Sequence, residues 1–93
     1  MLHCLKTLPT FYQAVIDEKK PFEIRNNDRN FKSGDYIILE EWNNRYTGRY
    51  CEVIIKDIFD ISSLFPGYVA FTFKILKTWV EIESALERPN QLK

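Results

Sequence analysis

The spacing of hydrophobic residues along the chain changes at Pro21 from a helical period to a strand-like one. Upstream of Pro21, apolar side chains recur every three or four residues, which is the spacing of one helix face: Leu8, Phe11, Tyr12, Val15 and Ile16. The hydroxyls of Thr7 and Thr10 and the early Pro9 are typical of a helix start. We therefore predict one helix that begins near Thr7 and ends at about Lys19.

Most of the remaining chain alternates apolar and polar residues, as half-buried strands do. The predicted strands cover residues 2–6, 22–25, 36–42, 50–58 and 68–76. The side chains expected to face the core from the last two strands are Cys51, Val53, Ile55, Val69, Phe71, Phe73 and Ile75. Each of the three glycines, Gly34, Gly48 and Gly67, is expected to make a turn. Five short, mostly antiparallel strands usually curl into a barrel that covers their edges.

A chain of 93 residues has room for one domain with one modest core. We expect residues 1–76 to form this domain, and residues 77–93 to be a C-terminal extension that is either packed on it or partly flexible. In the extension, Trp79, Ile82 and Leu86 fit a short helix, whereas residues 79–82 equally fit the end of a strand. The predicted fold class is α+β, mainly β, with a helix after the first strand and a second short helix at the C-terminus.

Several classes of protein do not fit the composition. The chain has two cysteines, Cys4 and Cys51, and one histidine, His3, which are too few for a disulfide scaffold or a zinc site. We expect both thiols to be reduced and buried, and His3 to be structural. No secretory leader or membrane-length apolar run is visible. We therefore expect a cytoplasmic protein with no metal, no cofactor and no membrane contact, and the pattern leaves its oligomeric state open.

The charges balance overall but not locally. Thirteen basic and thirteen acidic residues give a net charge of +0, which disfavours binding to a long DNA duplex through its phosphates. Residues 19–32, however, contain five basic and two acidic residues, a local charge of +3. A small ligand experiences this local field. The alternative interpretation is a solvated hairpin whose charges only maintain solubility.

The strand 22–25 contains the candidate chemistry. Glu23 and Arg25 share one face of it, and Lys20 stands at the corner before it. If this face lines a cleft, Glu23 can act as acid or base, Arg25 can hold an anion, and Lys20 can be a base or nucleophile. If the face meets water, Glu23 and Arg25 form a surface ion pair worth at most about 1 kcal/mol.

These residues resemble a known signature. The segment Glu18 to Arg25 is similar to the G-x-K-x-x-E-x-R motif of ASCH domains, which belong to the PUA-like superfamily of small β-barrels. The resemblance extends to an ASCH-like family of bacterial and phage proteins. Its pattern is matched in order by His3-Cys4-Leu5-Lys6, Phe22 to Arg25, Asn27-Asp28-Arg29, Phe31, Gly34-Asp35, Glu41-Trp42, Tyr46-Thr47-Gly48-Arg49 and Gly67-Tyr68-Val69.

The resemblance implies a PUA-like barrel with a helix after the first strand, and a cleft between helix and barrel where Lys20, Glu23 and Arg25 gather. PUA-like domains commonly bind RNA or modified nucleotides, and some ASCH proteins are amidohydrolases that act on acetylated cytidine. Two positions depart from the pattern. Glu18 stands where the motif has glycine, so the turn there either avoids a positive φ or adopts it at a cost. Glu23 stands where the amidohydrolases have their nucleophilic threonine.

The leading hypothesis is therefore a module that binds RNA or a nucleotide-sized ligand in this cleft. The residues expected to bind the ligand are Lys20, Glu23, Arg25, Asn27, Arg29, Trp42, Tyr46, Arg49 and Tyr68. The alternative is a hydrolase of an acylated nucleoside that uses Lys20 and Glu23 as its catalytic pair. A third hypothesis is a protein-interaction module with an apolar surface near Trp79 and Leu86.

Overall fold

The computed structural model of the chain describes residues 1–80 as a five-stranded sheet with one helix. The elements, in chain order, are strand β1 (Leu2–Thr7), helix α1 (Pro9–Ile16) and strands β2 (Phe22–Asn26), β3 (Tyr36–Trp42), β4 (Tyr46–Asp60) and β5 (Tyr68–Val80). The predicted class, mainly β with a helix after the first strand, is confirmed for this part of the chain. The helix of this described part of the chain, α1, is too short to span a membrane.

The sheet has the strand order β1-β3-β4-β5-β2. The pairs β3–β4, β4–β5 and β2–β5 are antiparallel, and β1 runs parallel to β3. The sheet curls into a half-barrel whose two edges are β1 and β2. Within residues 1–80 no backbone ladder joins these two edges, so the barrel expected from the sequence is not closed by hydrogen-bonded strands.

The core lies between α1 and the sheet. The helix contributes Tyr12 and Val15, each 1% exposed. The sheet and the loop before β3 contribute the other buried apolar side chains: Leu5, Phe31, Ile37, Leu39, Cys51, Val53, Ile55, Val69, Phe71 and Phe73. The inward positions predicted for β4 and β5 are all buried or, for Ile75, partly buried. Alternation therefore identified the inner face of both long strands.

Helix α1 ends three residues before the predicted end at Lys19, because the chain makes a left-handed turn there. The residue after the C-cap, Glu18, has φ +58°. Its N–H donates to the Val15 carbonyl at 3.0 Å, and the N–H of Lys19 donates to Ala14 at 2.9 Å. This pair of bonds is the Schellman ending of a helix, in which glycine is usual at the left-handed position. The turn therefore has the left-handed backbone that suits the glycine of the sequence motif, although Glu18 stands at that position.

Three other expectations are wrong in detail. Gly48 lies inside β4 with φ +97° and not in a turn, because β4 begins already at Tyr46. Cys4 is exposed, because the inward residues of β1 are His3, Leu5 and Thr7. Cys51 is buried, and the two cysteines form no disulfide with each other. Trp79 belongs to β5 and not to the favoured helix, as in the strand alternative given for residues 79–82.

Strand β5 continues beyond residue 76, the expected end of the domain. Lys77 is paired with Glu52, and Val80 with Arg49. The Trp79 ring stacks on the ring of Tyr50 at a centroid distance of 4.7 Å. The remaining positions of the predicted C-terminal helix, Ile82 and Leu86, lie outside the described residues.

Asp35 joins the start of β3 to the start of β1. Its carboxylate interacts with the His3 Nε2 at 2.9 Å, accepts from the Lys32 N–H at 3.1 Å, and lies 3.2 Å from the Met1 ammonium. Burial opposes ionisation of Asp35, but the hydrogen bonds with His3, the terminal ammonium and Lys32 outweigh it and hold the Asp35 pKa below its usual 3.8. His3 therefore has the structural role that we expected.

We predict that Glu18→Gly raises the free energy of unfolding by up to about 1 kcal/mol. Left-handed backbone costs non-glycine residues roughly 1–2 kcal/mol, and the greater freedom of glycine in the unfolded chain offsets part of this gain. The matched control is Lys19→Gly, next in the chain and without a positive φ, which should lower stability. Urea denaturation measures both, and equal changes in the two variants would contradict the prediction.

We predict that Asp35→Asn lowers the free energy of unfolding at neutral pH by about 1–3 kcal/mol, because charge-assisted hydrogen bonds are lost. Since the folded-state pKa of Asp35 is depressed, its stabilisation is present above pH 4 and disappears as the pH falls through the folded pKa. The difference between the two proteins should therefore shrink in acid. The exposed Asp57→Asn is the control, and a difference independent of pH would contradict this role.

Candidate functional site

Strand β2 turns its charged residues, the buried Glu23 and the half-buried Arg25, inward and exposes its apolar ones. The Glu23 side chain is 4% exposed, whereas Phe22 and Ile24 are 41% and 45% exposed. Alternation predicted that Glu23 and Arg25 share a face, and the structure shows that this face is turned inward. A buried carboxylate costs several kcal/mol unless cations and hydrogen bonds compensate it. The partners of Glu23 therefore determine whether its burial is stable.

Each oxygen of the Glu23 carboxylate has its own cation. Lys20 Nζ donates to Glu23 Oε2 at 2.7 Å, and Arg25 Nε donates to Glu23 Oε1 at 2.9 Å. Lys20 Nζ also donates to the Phe22 carbonyl at 2.8 Å. Charge-assisted bonds of this length are the strongest hydrogen bonds that proteins make. Lys20, Glu23 and Arg25 therefore form one connected cluster, which we call the charged cluster.

The end of helix α1 places Lys20 in this cluster. After the left-handed residue Glu18, the Lys20 N–H still donates to the Ala14 carbonyl at 3.1 Å. Pro21 then prevents further helix and favours an extended backbone before it. The lysine thus stands between the helix and β2, three residues before Glu23, where its side chain reaches the carboxylate.

The charged cluster lines a cavity of about 380 Å³ between the end of β1, the start of α1 and β2. We call it the main cavity because it contains the charged cluster, although two other cavities, of about 460 Å³ and 670 Å³, are larger. Its other lining residues are Lys6, Thr7, Leu8, Phe11, Phe22 and Ile24. The Lys20 ammonium lies 5.9 Å from the ring centroid of Phe11 and 5.3 Å from that of Phe22. The four apolar residues are between 41% and 56% exposed, so they form an exposed apolar rim, whereas the Glu23 carboxylate of the charged cluster is buried.

Trp42 and Tyr46 lie next to the main cavity but do not line it. Their rings meet edge to face at 4.8 Å. The Lys6 ammonium lies 4.0 Å from the Trp42 ring centroid and 6.0 Å from that of Tyr46. Lys6 is itself a lining residue, so this aromatic pair is connected to the cavity through Lys6.

Arg29 and Tyr68 line a second cavity of about 290 Å³, which shares Ile24 and Arg25 with the main cavity. Arg29 Nη1 donates to the Cys4 carbonyl at 2.8 Å. Asn27 is elsewhere: its Oδ1 accepts from the Phe31 N–H at 2.8 Å, which ties down the loop. Asn27 lines a third cavity with Tyr68.

Arg49 is not part of the main cavity, because its guanidinium contacts other residues. Arg49 Nη2 donates to Gln13 Oε1 at 2.7 Å, and Nη1 lies 3.7 Å from Glu41 Oε2. The guanidinium also lies 4.9 Å from the ring centroid of Tyr12. Glu41 is buried and accepts from the Thr47 hydroxyl at 2.7 Å. These contacts connect α1 to β3 and β4, which is a structural role.

Two further titratable groups, the Cys51 thiol and the Tyr12 hydroxyl, are buried in the core. Burial raises the pKa of the Cys51 thiol to about 11, an effect that the nearby Glu23 charge strengthens and the hydrogen bond with Tyr12 opposes. A protonated, buried thiol is a poor nucleophile. Burial also raises the pKa of the Tyr12 hydroxyl. Among residues 1–80, no three His, Cys, Asp or Glu side chains are grouped as metal ligands.

The structure thus brings together three of the predicted site residues, and it adds residues that our reading of the sequence missed as site residues. These are Lys6, Thr7, Leu8, Phe11, Phe22 and Ile24. Phe11 and Leu8 belong to the apolar stripe from which α1 was predicted, and such a stripe usually faces the core. Their exposure of 50% and 56% shows that this part of the stripe faces the cavity mouth. Only the fold reveals this, because the spacing is the same for both roles.

We predict that Glu23→Gln lowers the free energy of unfolding by about 2–3 kcal/mol. The amide keeps the shape of the side chain but leaves Lys20 and Arg25 without a counter-charge. Removing one member of a fully buried ion pair costs about 3–5 kcal/mol, and the side-chain exposures of 20% and 27% for the two cations reduce this. Chemical denaturation measures the change.

Two controls separate the charged cluster from general effects of charge. The exposed Glu18→Gln should change stability by less than about 0.5 kcal/mol. Lys20→Met combined with Glu23→Gln should cost less than the sum of the two single changes, because the two side chains are partners. Additive costs would show that Lys20 and Glu23 do not interact as the structure places them.

Comparison with known proteins identifies the family. A model described as "Domain of unknown function (DUF3850)" matches residues 2–73, which include the whole main cavity. The "Uncharacterized 12.9 kDa protein in GpA 3'region" of Escherichia phage P2 is similar, with 38% identity over 69 residues, or 73% of this chain. These residues span 63% of the phage protein, less than two thirds of its length. The chain belongs to the family described as DUF3850, a domain of unknown function.

Proposed function

We propose that the main cavity binds a nucleotide-sized ligand, either free or as part of a short RNA, and that the protein is a binding module of the ASCH/PUA-like type. The observation that supports this most is the charged cluster on the floor of a cavity with an exposed apolar rim. Small-molecule sites are typically concave and apolar with a few converging polar groups. Clustered exposed apolar residues on a soluble protein usually mark such a site.

The size and charge of the main cavity suit a nucleotide. Its volume of about 380 Å³ lies in the range of small-ligand sites. Its lining has three cations, Lys6, Lys20 and Arg25, against the single anion Glu23, which gives a charge of +2. This favours a ligand with a phosphate, for which lysine and arginine are the usual partners.

The chemistry of the walls supports a nucleobase. Bases bound as single strands commonly stack on aromatic rings and donate or accept hydrogen bonds at their edges. Phe11 and Phe22 offer rings at the rim, Glu23 offers acceptors, and Lys20 and Arg25 offer donors. The helix after the first strand and the curled sheet are compatible with the PUA-like barrel proposed from the sequence motif, which is a second line of support.

A hydrolase is the second candidate, because Lys20 Nζ contacts Glu23 Oε2 at 2.7 Å inside a cavity. Water would attack the acyl carbon of an acylated nucleoside, the C–N bond would break, and the amine nitrogen would take up the proton. As a general base, Glu23 would have to take a proton from water while both of its oxygens accept hydrogen bonds from cations. Binding requires no proton transfer and is the function we favour.

We predict that Lys20→Ala weakens binding of nucleoside monophosphates and short single-stranded RNA at least tenfold, because a phosphate or base contact is lost. Isothermal titration at low salt measures the dissociation constant. The matched control is Lys19→Ala, which removes the same charge from the next residue, exposed and outside the cavity lining, and should change affinity less than twofold. Circular dichroism checks that both variants are folded.

The outcomes separate the candidates. No binding of any nucleotide or RNA at millimolar concentration, or equal losses in Lys20→Ala and Lys19→Ala, would contradict the proposed site. Acetylated cytidine is included in the panel, and acetate release that disappears in Lys20→Ala would favour the hydrolase instead.

A further inference from the structure

Two arginine side chains bridge the open side of the half-barrel. Strands β1 and β2 are the opposite edges of the sheet, and we call the gap between residues 4–7 and 22–29 the seam. Arg25 Nη2 donates across it to the Lys6 carbonyl at 3.2 Å and to the Thr7 hydroxyl at 3.4 Å. Arg29 Nη1 donates to the Cys4 carbonyl at 2.8 Å. Side chains thus replace the backbone ladder that would close a barrel.

The seam contains the two cavities that meet at Arg25. The main cavity and the second cavity share Ile24 and Arg25 as lining residues, and their volumes are about 380 Å³ and 290 Å³. The two hydrogen bonds from Arg25 to β1 have donor–acceptor distances of 3.2 Å and 3.4 Å. They are longer than the usual distance of about 2.9–3.0 Å between a nitrogen donor and an oxygen acceptor. Arg25, one of the two residues that both cavities share, is therefore weakly attached to β1 at its far end.

The second cavity offers its own contacts for a nucleotide. Its lining includes the ring of Tyr68, which is only partly buried, and the guanidinium of Arg29. A guanidinium has five N–H donors, and within the described residues Arg29 uses Nη1 for one protein hydrogen bond. It therefore keeps donors for a phosphate, and Tyr68 can stack on a base.

The spacing and charge of the arginines suit a chain of phosphates. Arg25 and Arg29 bind carbonyls two residues apart on β1, which places these bridges roughly 7 Å apart. Neighbouring phosphates of an extended single strand repeat over a similar distance. Along the seam, four cations (Lys6, Lys20, Arg25, Arg29) face two anions (Glu23, Asp28), a charge of +2.

We propose that the seam binds two consecutive nucleotides of a single strand. The first occupies the main cavity on the charged cluster, the second occupies the second cavity beside Tyr68, and Arg25 and Arg29 hold the phosphates of this dinucleotide. This inference rests on the proposed function and narrows it: the preferred ligand is an oligonucleotide, and a mononucleotide fills only half of the site.

The experiment compares a nucleoside monophosphate with a dinucleotide of the same bases that carries a 5′ phosphate, in ribose and deoxyribose forms. Titrations followed by NMR cover dissociation constants up to the millimolar range. The dinucleotide should bind at least tenfold tighter than the monophosphate. Arg29→Ala should abolish this gain and leave monophosphate affinity within twofold, whereas Lys20→Ala should weaken both. Tighter binding of the ribose form would identify the ligand as RNA, and tighter binding of the deoxyribose form would identify it as DNA.

Two further variants guard against indirect effects. Arg45→Ala removes an arginine that is exposed and outside both cavities, so it should leave the tenfold gain intact. Arg29 also donates to the Cys4 carbonyl of β1, so Arg29→Ala can lower stability as well as affinity. Arg29→Lys keeps a donor and a positive charge at this position, and it should retain part of the tighter binding of the dinucleotide.

Equal affinity for the monophosphate and the dinucleotide would overturn this inference and leave the proposed function standing. If Arg29→Ala lowered the affinity for the monophosphate and the dinucleotide equally, this inference would also be overturned and the proposed function would stand. Absence of binding for every nucleotide tested would overturn both.

Discussion

The buried carboxylate of Glu23 is the interaction on which the rest of the site depends. A carboxylate that is 4% exposed is stable only with cationic partners, and here both of its oxygens contact one: Lys20 from the end of α1 and Arg25 from β2 itself. This requirement links three parts of the fold, because Lys20 is held by the helix end and Arg25 extends to β1. The inward position of Glu23 also turns Phe22 and Ile24 outward, which forms the apolar side of the main cavity.

The open edge of the half-barrel has a related origin. Strand edges carry backbone groups that need partners, and a fully closed barrel would pair them with a neighbouring strand. Here carbonyls of β1 are paired with Arg25 and Arg29. Side-chain bridges are longer than a backbone ladder, so they leave space between the strands, and the cavities lie in this space. The same arginines therefore connect the two edges of the sheet and leave the cavities between them.

Much of the fold could be predicted from local patterns. Alternation located all five strands, and it identified the buried faces of β4 and β5 because those strands pair along their length with apolar neighbours. The end of α1 was placed three residues too late because the left-handed turn at Glu18 has no glycine to mark it. Cys4 was assigned to the core because it stands in an apolar run, but the inward residues of β1 are its neighbours His3 and Leu5.

The candidate site was predictable only in part. Lys20, Glu23 and Arg25 lie within six residues, so their proximity follows from strand geometry and from the motif that they resemble. Arg49 was expected at the ligand because of its charge, but Gln13, Glu41 and Tyr12 occupy its guanidinium. These contacts join residues up to 36 positions apart, and no local pattern encodes them. The same holds for Lys6, which comes from the other edge of the sheet.

The sequence by itself determined that residues 22–25 form a strand with two apolar and two charged side chains on opposite faces. It could not determine which face is buried, because alternation with a period of two is symmetric between the two faces. The tertiary structure decided this. Lys20, positioned by the end of α1, pairs with Glu23, and the Lys6 carbonyl of β1 accepts from Arg25. These partners compensate the cost of burying charge on this face. The apolar face is left exposed, and together with Leu8 and Phe11 it forms the rim of the main cavity.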